Sequence, residues 1–406
     1  MVFKCQEDSF LRKFTSKVVS CEKVDSGFNV IFEDTVLFPE GGGQPADSGW
    51  LNGREVRNVV RKGPTAVHFL EGEEVPFQIG EEVEQRVDWK RRFDHMQQHS
   101  GQHLITAIFD REFGFGTKSW WLGTDDSYVD LDTKDVTKEQ LEKVEKICNQ
   151  LIVDCTAVDV TVYQPGDPVL QSDGTRTRGL PEDVSGPIRV ITIDGVESNM
   201  CCGTHVKNLA QLQAIQFLNV EKSKSKCLVH FLVGNRVLKK LDECYKREVK
   251  LNNLLNGGPA SHIDLIMKLQ TTVKNSQKVC KKFTTELAAL EAEKVNSLVP
   301  KPLYYFVHRL DGMDSDFIFT FLRSVNLPEC FFFLTNGDET RKGQMVLQGQ
   351  AKDIAKIGDA ICKALDGKGN GKGTRYNAKV NNLKAIAECE RIVKEHFEVN
   401  NGFQTE

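Results

Sequence analysis

The sequence predicts an α+β protein built in several parts, on three observations. Short β-prone runs broken by Gly, Asp and Pro fill the first 88 residues, helix-periodic stretches alternate with strands from 89 to 235, and two Leu/Lys/Glu-rich stretches then lead to a further strand-and-helix unit. A chain of 406 residues is too long for one compact core, which fits such a division. We expect a small N-terminal β-barrel over 1–88, a central α+β layer over 89–235, a helical hairpin linker over 236–298 and a C-terminal α/β domain over 299–406.

In the first part, Lys17-Val18-Val19-Ser20-Cys21, Phe28-Asn29-Val30-Ile31-Phe32 and Ala66-Val67-His68-Phe69-Leu70 are runs of strand length. Between the last two lies Gly41-Gly42-Gly43, where the backbone can take positive φ and approach a ligand closely, although three glycines also make an ordinary turn. Asp88 reads as the N-cap of a helix from Trp89 to about Glu112, with Gly114 near its end. Gly101 inside that helix costs about 1 kcal/mol relative to Ala, a cost that makes sense where a strand or a substrate passes close by. Residues 128–132 alternate as a strand, and Thr137-Lys138-Glu139-Gln140 matches a capping box opening a helix to about Ile152. Residues 158–162 and 188–193 are further strands, and 214–218 with 227–232 form a closing hairpin.

From Gly234 the pattern changes. Residues 236–255 and 261–296 carry Leu, Lys and Glu at helical spacing, broken at Gly257-Gly258-Pro259, and their apolar stripes are expected to pack on each other in a monomeric protein. Residues 303–307 and 330–334 are buried-strand candidates of the last unit. Near its end, Gly367-Lys368-Gly369-Asn370-Gly371-Lys372-Gly373-Thr374-Arg375 reads as a surface loop. It is no Walker A loop, since Gly373 and not Ser or Thr follows Lys372.

No apolar run approaches the roughly 20 residues of a membrane span, and Met1-Val2-Phe3-Lys4 opens no recognisable signal or transit peptide, so a cytosolic protein with no membrane partner is expected. The 12 cysteines are scattered without a dense framework, which points to reduced thiols. A net charge of −4 hides an asymmetry: 22 basic residues face 35 acidic ones up to His205, and 31 face 22 after it. A polyanionic partner would therefore be sought on the second half, although charge alone equally describes a solvated Lys-rich surface.

The chemistry concentrates in Asp94-His95-Met96-Gln97-Gln98-His99-Ser100-Gly101-Gln102-His103. Positions four apart project from one helix face, so two imidazoles can meet at one point; spacing alone leaves His95 with His99 and His99 with His103 both open. About a hundred residues on, Cys201-Cys202-Gly203-Thr204-His205 adds a thiolate and another imidazole from a Gly-Thr turn. Either segment alone reads as a polar helix face or as small buried thiols. Together they make a nitrogen and sulfur donor set of the kind Zn²⁺ prefers.

These residues carry a family resemblance. Ser100-Gly101-Gln102-His103-Leu104 after His99, and Cys202-Gly203-Thr204-His205-Val206 after Cys201, resemble the paired zinc motifs of the alanyl-tRNA editing domain, found inside alanyl-tRNA synthetases and in free-standing editing proteins of the AlaX group. A third motif agrees, since Thr35-Val36-Leu37-Phe38-Pro39-Glu40-Gly41-Gly42-Gly43-Gln44-Pro45-Ala46-Asp47-Ser48-Gly49 resembles that family's Gly-rich loop. The resemblance implies one Zn²⁺ held by His99, His103, Cys201 and His205, and a loop lying against it with Thr35 and Gln44. The implied activity is hydrolysis of the ester in mischarged tRNA(Ala), with serine as the chief error removed and glycine as the second. No stretch resembles an aminoacylation domain, so amino-acid activation is not expected.

Serine exceeds alanine by one hydroxyl, so a pocket that admits serine cannot exclude alanine by size. It must read the hydroxyl, and a polar group left unpaired by alanine costs about 1–3 kcal/mol. By its motif position Thr35 is expected to read it, and Gln44 to orient water or the developing oxyanion. The His-x-x-x-His stretch contains no Glu, unlike a zinc protease, so no general base is named. The tail loosely resembles the Gly-rich end of the synthetases' tRNA-holding domain, which makes Lys368, Lys372 and Arg375 candidates for contact with tRNA phosphates.

Overall fold

A computed structural model describes residues 2–171, 175–176, 186–223, 226–309, 315–337 and 342–401. After a short turn of helix, α1 (Lys4–Glu7), seven strands follow: β1 (Lys13–Val24), β2 (Gly27–Phe32), β3 (Gly49–Leu51), β4 (Arg54–Val56), β5 (Asn58–Lys62), β6 (Thr65–Glu71) and β7 (Glu82–Val87). They pair antiparallel in the order β4-β3-β7-β1-β2-β6-β5, and β4 comes back against β6, so the sheet rolls nearly shut. Period-2 alternation explains why: Val83, Gln85 and Val87 of β7 point inward while Glu82, Glu84 and Arg86 face water. The expected barrel of 1–88 is thus a nearly closed sheet, with its inside filled by Phe28, Val30, Leu51, Val59 and Leu70.

The rest of the first half is a layer of helices on two four-stranded sheets. Helix α2 (Trp89–Phe113) is followed by β8 (Thr117–Leu122), β9 (Ser127–Leu131), α3 (Lys138–Val153), β10 (Val158–Tyr163), β11 (Thr175–Arg176), β12 (Ile188–Ile193), β13 (Glu197–Met200), β14 (Ile215–Lys222) and β15 (Cys227–Val233). One sheet runs β10-β12-β13-β11 and the other β14-β15-β9-β8, and α2 packs on β8, β9, β15 and α3. Both helices begin as the sequence predicts. Asp88 accepts from the Arg91 N–H and Thr137 from the Gln140 N–H, and Gly114 ends α2 in the left-handed region at φ 66°.

A long helix, α4 (Asn235–Leu255), comes next, and the chain divides within it into two compact units, Met1–Lys250 and Leu251–Glu406. The boundaries expected near 88 and 298 fall inside these units. At the first of them the Arg92 side chain is fully buried: its Nε donates to Asp47 at 2.8 Å, its Nη1 to the Ser9 carbonyl and its Nη2 to the Val36 carbonyl, which fastens α2 to the first sheet.

In the second unit α5 (His262–Asn296) leads to β16 (Tyr304–Arg309), α6 (Ser315–Ser324), β17 (Phe331–Asn336), β18 (Gly343–Gln348), α7 (Ala351–Ala364), β19 (Lys368–Lys372), β20 (Arg375–Val380) and α8 (Ile386–Asn401). The sheet β16-β17-β18-β20-β19 has its first pair parallel across α6 and the others antiparallel. Phe331 and Phe333 face α7 and α8, while Phe332 and Leu334 face α5 and α6, so β17 is apolar on both faces. One expectation changes here. The Gly/Lys segment is an edge strand, β19, turning at Gly373 into β20. On the two linker helices, Leu241 of α4 is 65% exposed and Phe283 of α5 is 61% exposed.

Candidate metal centre

Helix α2 is buried on every side from His95 to Phe109, so its polar side chains need partners within the protein. The close approach that Gly101 makes possible is that of a strand: a Cβ there would lie 2.5 Å from Cγ2 of Val233 on β15. Gln98 completes this seam, its amide donating to the Val233 carbonyl and accepting from the Val233 N–H. The packing fixes the rotation of α2 and turns His99 and His103 to the opposite side.

There they meet the turn that follows β13. Arg189 on β12 donates from Nη1 to the carbonyls of Cys201 and Gly203, at 3.0 and 2.7 Å, and Gln6 donates to the carbonyl of Cys202 at 2.7 Å. Three successive carbonyls of the turn are therefore held by side chains. Gly203 itself lies against the His99 ring, with no room for a Cβ. The ligand atoms of His99, His103, Cys201 and His205 all fall within 4.8 Å of one another, a group that could hold a metal ion. His205 Nε2 lies 3.3 Å and His99 Nε2 3.5 Å from the Cys201 sulfur.

Each imidazole is braced at its far nitrogen. His99 Nδ1 lies 2.9 Å from Gln44 Oε1, His205 Nδ1 lies 3.0 Å from the Ser100 hydroxyl, and His103 Nδ1 lies 3.3 Å from a Glu197 oxygen. Such partners orient a metal-ligating ring and fix its tautomer. Burial raises the Cys201 thiol, but His99, His205 and His103 around it outweigh this and hold it well below its ordinary value, toward the thiolate a metal needs.

Comparison with known proteins agrees with this geometry. Residues 5–91 match the family model of class II (A) tRNA synthetases, and residues 188–228 that of the threonyl and alanyl tRNA synthetase second additional domain. The chain is 44% identical to the alanyl-tRNA editing protein Aarsd1-A of Xenopus laevis, over 97% of each chain. It is 43% identical to the alanyl-tRNA editing protein Aarsd1 of Mus musculus, over 98% of each. The chain belongs to the alanyl-tRNA editing protein family. A more distant member, the AlaX-L protein of Pyrococcus horikoshii, is 29% identical over 58% of this chain and 59% of its own.

In this editing-family chain the structure brings His99, His103, Cys201 and His205 together, and His95 is not among them. Gln44 is buried at the same place, with both ends of its amide in use: Oε1 accepts from the Thr204 N–H at 2.9 Å, and Nε2 donates to the Thr204 hydroxyl at 2.8 Å. Thr35 is engaged elsewhere. Its hydroxyl donates to Gln85 Oε1 at 2.8 Å, accepts from the Leu37 N–H at 3.0 Å and lies 2.8 Å from His68 Nε2, and the residue is 1% exposed. Lys368 and Lys372 are exposed and Arg375 half-buried, all in the second unit.

Glu197, Ser100, Arg189 and Gln6 were not singled out in the sequence. Ser100 carried a signal, as the neighbour of His99. Arg189 and Glu197 reach the turn through the pairing of β12 with β13, which the one-dimensional pattern does not display.

Proposed function

We propose that this protein is a hydrolase that removes the wrong amino acid from mischarged tRNA(Ala), chiefly serine and also glycine, with Zn²⁺ as its resident ion. The observation that carries the reading is the buried group of three imidazoles and one thiolate, in a chain matching editing proteins over nearly its whole length. One soft thiolate with three imidazoles suits Zn²⁺ and suits the hard cations Mg²⁺ and Ca²⁺ poorly. His99, His103, Cys201 and His205 would hold the ion, and the chemistry it supplies when bound is Lewis-acid polarisation and anchoring of the acceptor end.

The chain's own residues set the rest. Gln44 joins the Gly-rich loop to both a candidate ligand and the Thr204 turn, so we assign it to positioning His99. Contact with water or an oxyanion would require it to give up one of these bonds. Thr35 would have to release His68 or Gln85 before reading a serine hydroxyl, so we assign it to holding the junction from which the loop departs. Lys368, Lys372 and Arg375 are proposed to contact the tRNA backbone, where a cationic edge strand suits phosphates.

The test is deacylation of Ser-, Gly- and Ala-tRNA(Ala) with and without a chelator, together with Cys201→Ala. Release of serine in preference to alanine, lost along with bound zinc in the variant, is the expected result. Binding of tRNA(Ala) without release of serine would identify a non-catalytic tRNA-binding protein that keeps the fold. Full activity of metal-free Cys201→Ala would refute the role of zinc.

A further inference from the structure

Between His95 and Thr106 helix α2 is almost sealed, and the traces of exposure that remain have a direction. His95, Gln102, His103 and Thr106 are 4–8% exposed, whereas the other side chains of that stretch are at most 1% exposed. At about 100° per residue, all four project within about 60° of His99. Solvent therefore reaches this part of α2 along one narrow slit, and the slit runs over the face that carries two of the candidate metal ligands.

In that slit Gln102 has an oxygen to spare. The Thr106 hydroxyl donates to the His103 carbonyl at 3.0 Å, so toward Gln102 it can only accept. The Gln102 amide accordingly turns Nε2 to Thr106, 3.4 Å away, and its Oε1 is left buried with no hydrogen-bond partner among the described residues. A buried acceptor held in one orientation and left unpaired is a place for a donor to dock.

We propose that Gln102 Oε1 reads the side-chain hydroxyl of serine, an assignment that rests on the editing reading above. Alanyl, glycyl and seryl esters share the α-ammonium, and serine alone adds a hydroxyl donor. With the acyl group in place, a seryl group satisfies Oε1 and an alanyl group leaves it unpaired, which is the kind of difference that separates substrates of nearly equal size. The neutral amide suits the task, because a carboxylate there would attract the ammonium common to all three esters and blur the distinction. Thr35, with its hydroxyl already shared among Gln85, the Leu37 N–H and His68, leaves the role open.

The test uses the zinc-loaded full chain and tRNA(Ala) charged with serine or with 2-aminobutyrate, in which a methyl replaces the hydroxyl at nearly the same size. For the unsubstituted chain kcat/KM is expected to favour the seryl ester about 5- to 150-fold. Gln102→Met keeps an unbranched side chain without the acceptor, and is expected to bring that ratio toward one, chiefly through loss on serine, with bound zinc unchanged. Thr106→Val frees the amide to turn and is expected to lower the ratio in the same direction. Equal release of the two amino acids by the unsubstituted chain overturns the proposal. So does a Gln102→Met chain that slows both esters alike, the mark of a structural role or of contact with the shared ammonium. If Gln102→Met fails to fold, Thr106→Val and the two substrates on the unsubstituted chain still decide the matter. Release of no amino acid at all would strike the editing reading itself, and this assignment with it.

Discussion

Glu197 lies beside the far nitrogen of His103, and its side chain is only 3% exposed. A buried carboxylate in that place raises the donor strength of the ring and fixes which nitrogen faces Cys201. Glu197→Gln keeps the shape and removes the charge, so zinc affinity is expected to fall about 10- to 100-fold, the usual effect of losing such a partner. Competition against a chromophoric chelator measures it, and an unchanged dissociation constant would rule this role out. Thr35 makes the opposite kind of prediction. Thr35→Val leaves Gln85, His68 and the Leu37 N–H short of a partner inside the first sheet, at about 1–3 kcal/mol. We expect a lower Tm with the preference for serine over alanine intact. A stable variant that no longer separates Ser-tRNA(Ala) from Ala-tRNA(Ala) would return the hydroxyl-reading role to Thr35.

Helix α2 is the element on which the site depends, and Gly101 sets how closely it lies to β15. Gly101→Ala gains about 1 kcal/mol of helix propensity but drives a methyl into Val233. Overpacking of this kind costs about 1–3 kcal/mol, so the net effect is expected to be destabilising and to be relieved by Val233→Ala. Urea unfolding of the two single variants and the double variant closes the cycle; additivity would show that the two groups do not meet. Legibility from sequence was uneven at this scale. The caps at Asp88 and Thr137 use local side chain to backbone bonds, so helices α2 and α3 start where the sequence places them. Strands β3 and β4 have three residues each and β19 alternates Gly with polar residues, so neither propensity nor period marks them, and pairing with a neighbour makes them strands. The same holds within the site. The His99, His103, Cys201 and His205 set is written in two short motifs, whereas Arg189 and Glu197 are delivered by sheet register.

At the scale of the molecule, the first 88 residues and the metal-centre layer belong to one unit because buried polar groups cross the expected boundary, as Arg92 does toward Ser9, Val36 and Asp47. Composition and hydrophobic pattern do not reveal such a tie, because a lone Arg or Asp in the sequence looks like surface. The same interior polarity makes stability depend on pH. Burial pushes His68 down to about 4 and His95 down to about 4, so both are neutral in the fold at pH 7. Between pH 6.5 and 4 the unfolded chain binds protons at these two sites and the folded chain does not, so stability rises with pH across that window. The contribution of each is fully present above pH 6.5 and is lost as pH falls from there through about 4. For His68, which is completely buried, the loss amounts to about 3 kcal/mol. His68→Gln removes that site, and its imidazole bonds to Thr35 and the Val30 carbonyl are lost or replaced, so the variant is expected to be less stable at pH 7.5. The gap to the unsubstituted chain should then narrow on acidification, by up to about 1.4 kcal/mol per pH unit below 6.5. Denaturant unfolding at a series of pH values, with zinc held constant, compares the two slopes; parallel curves between pH 6.5 and 4.5 would mean that His68 takes up its proton in the folded protein as readily as in the unfolded chain.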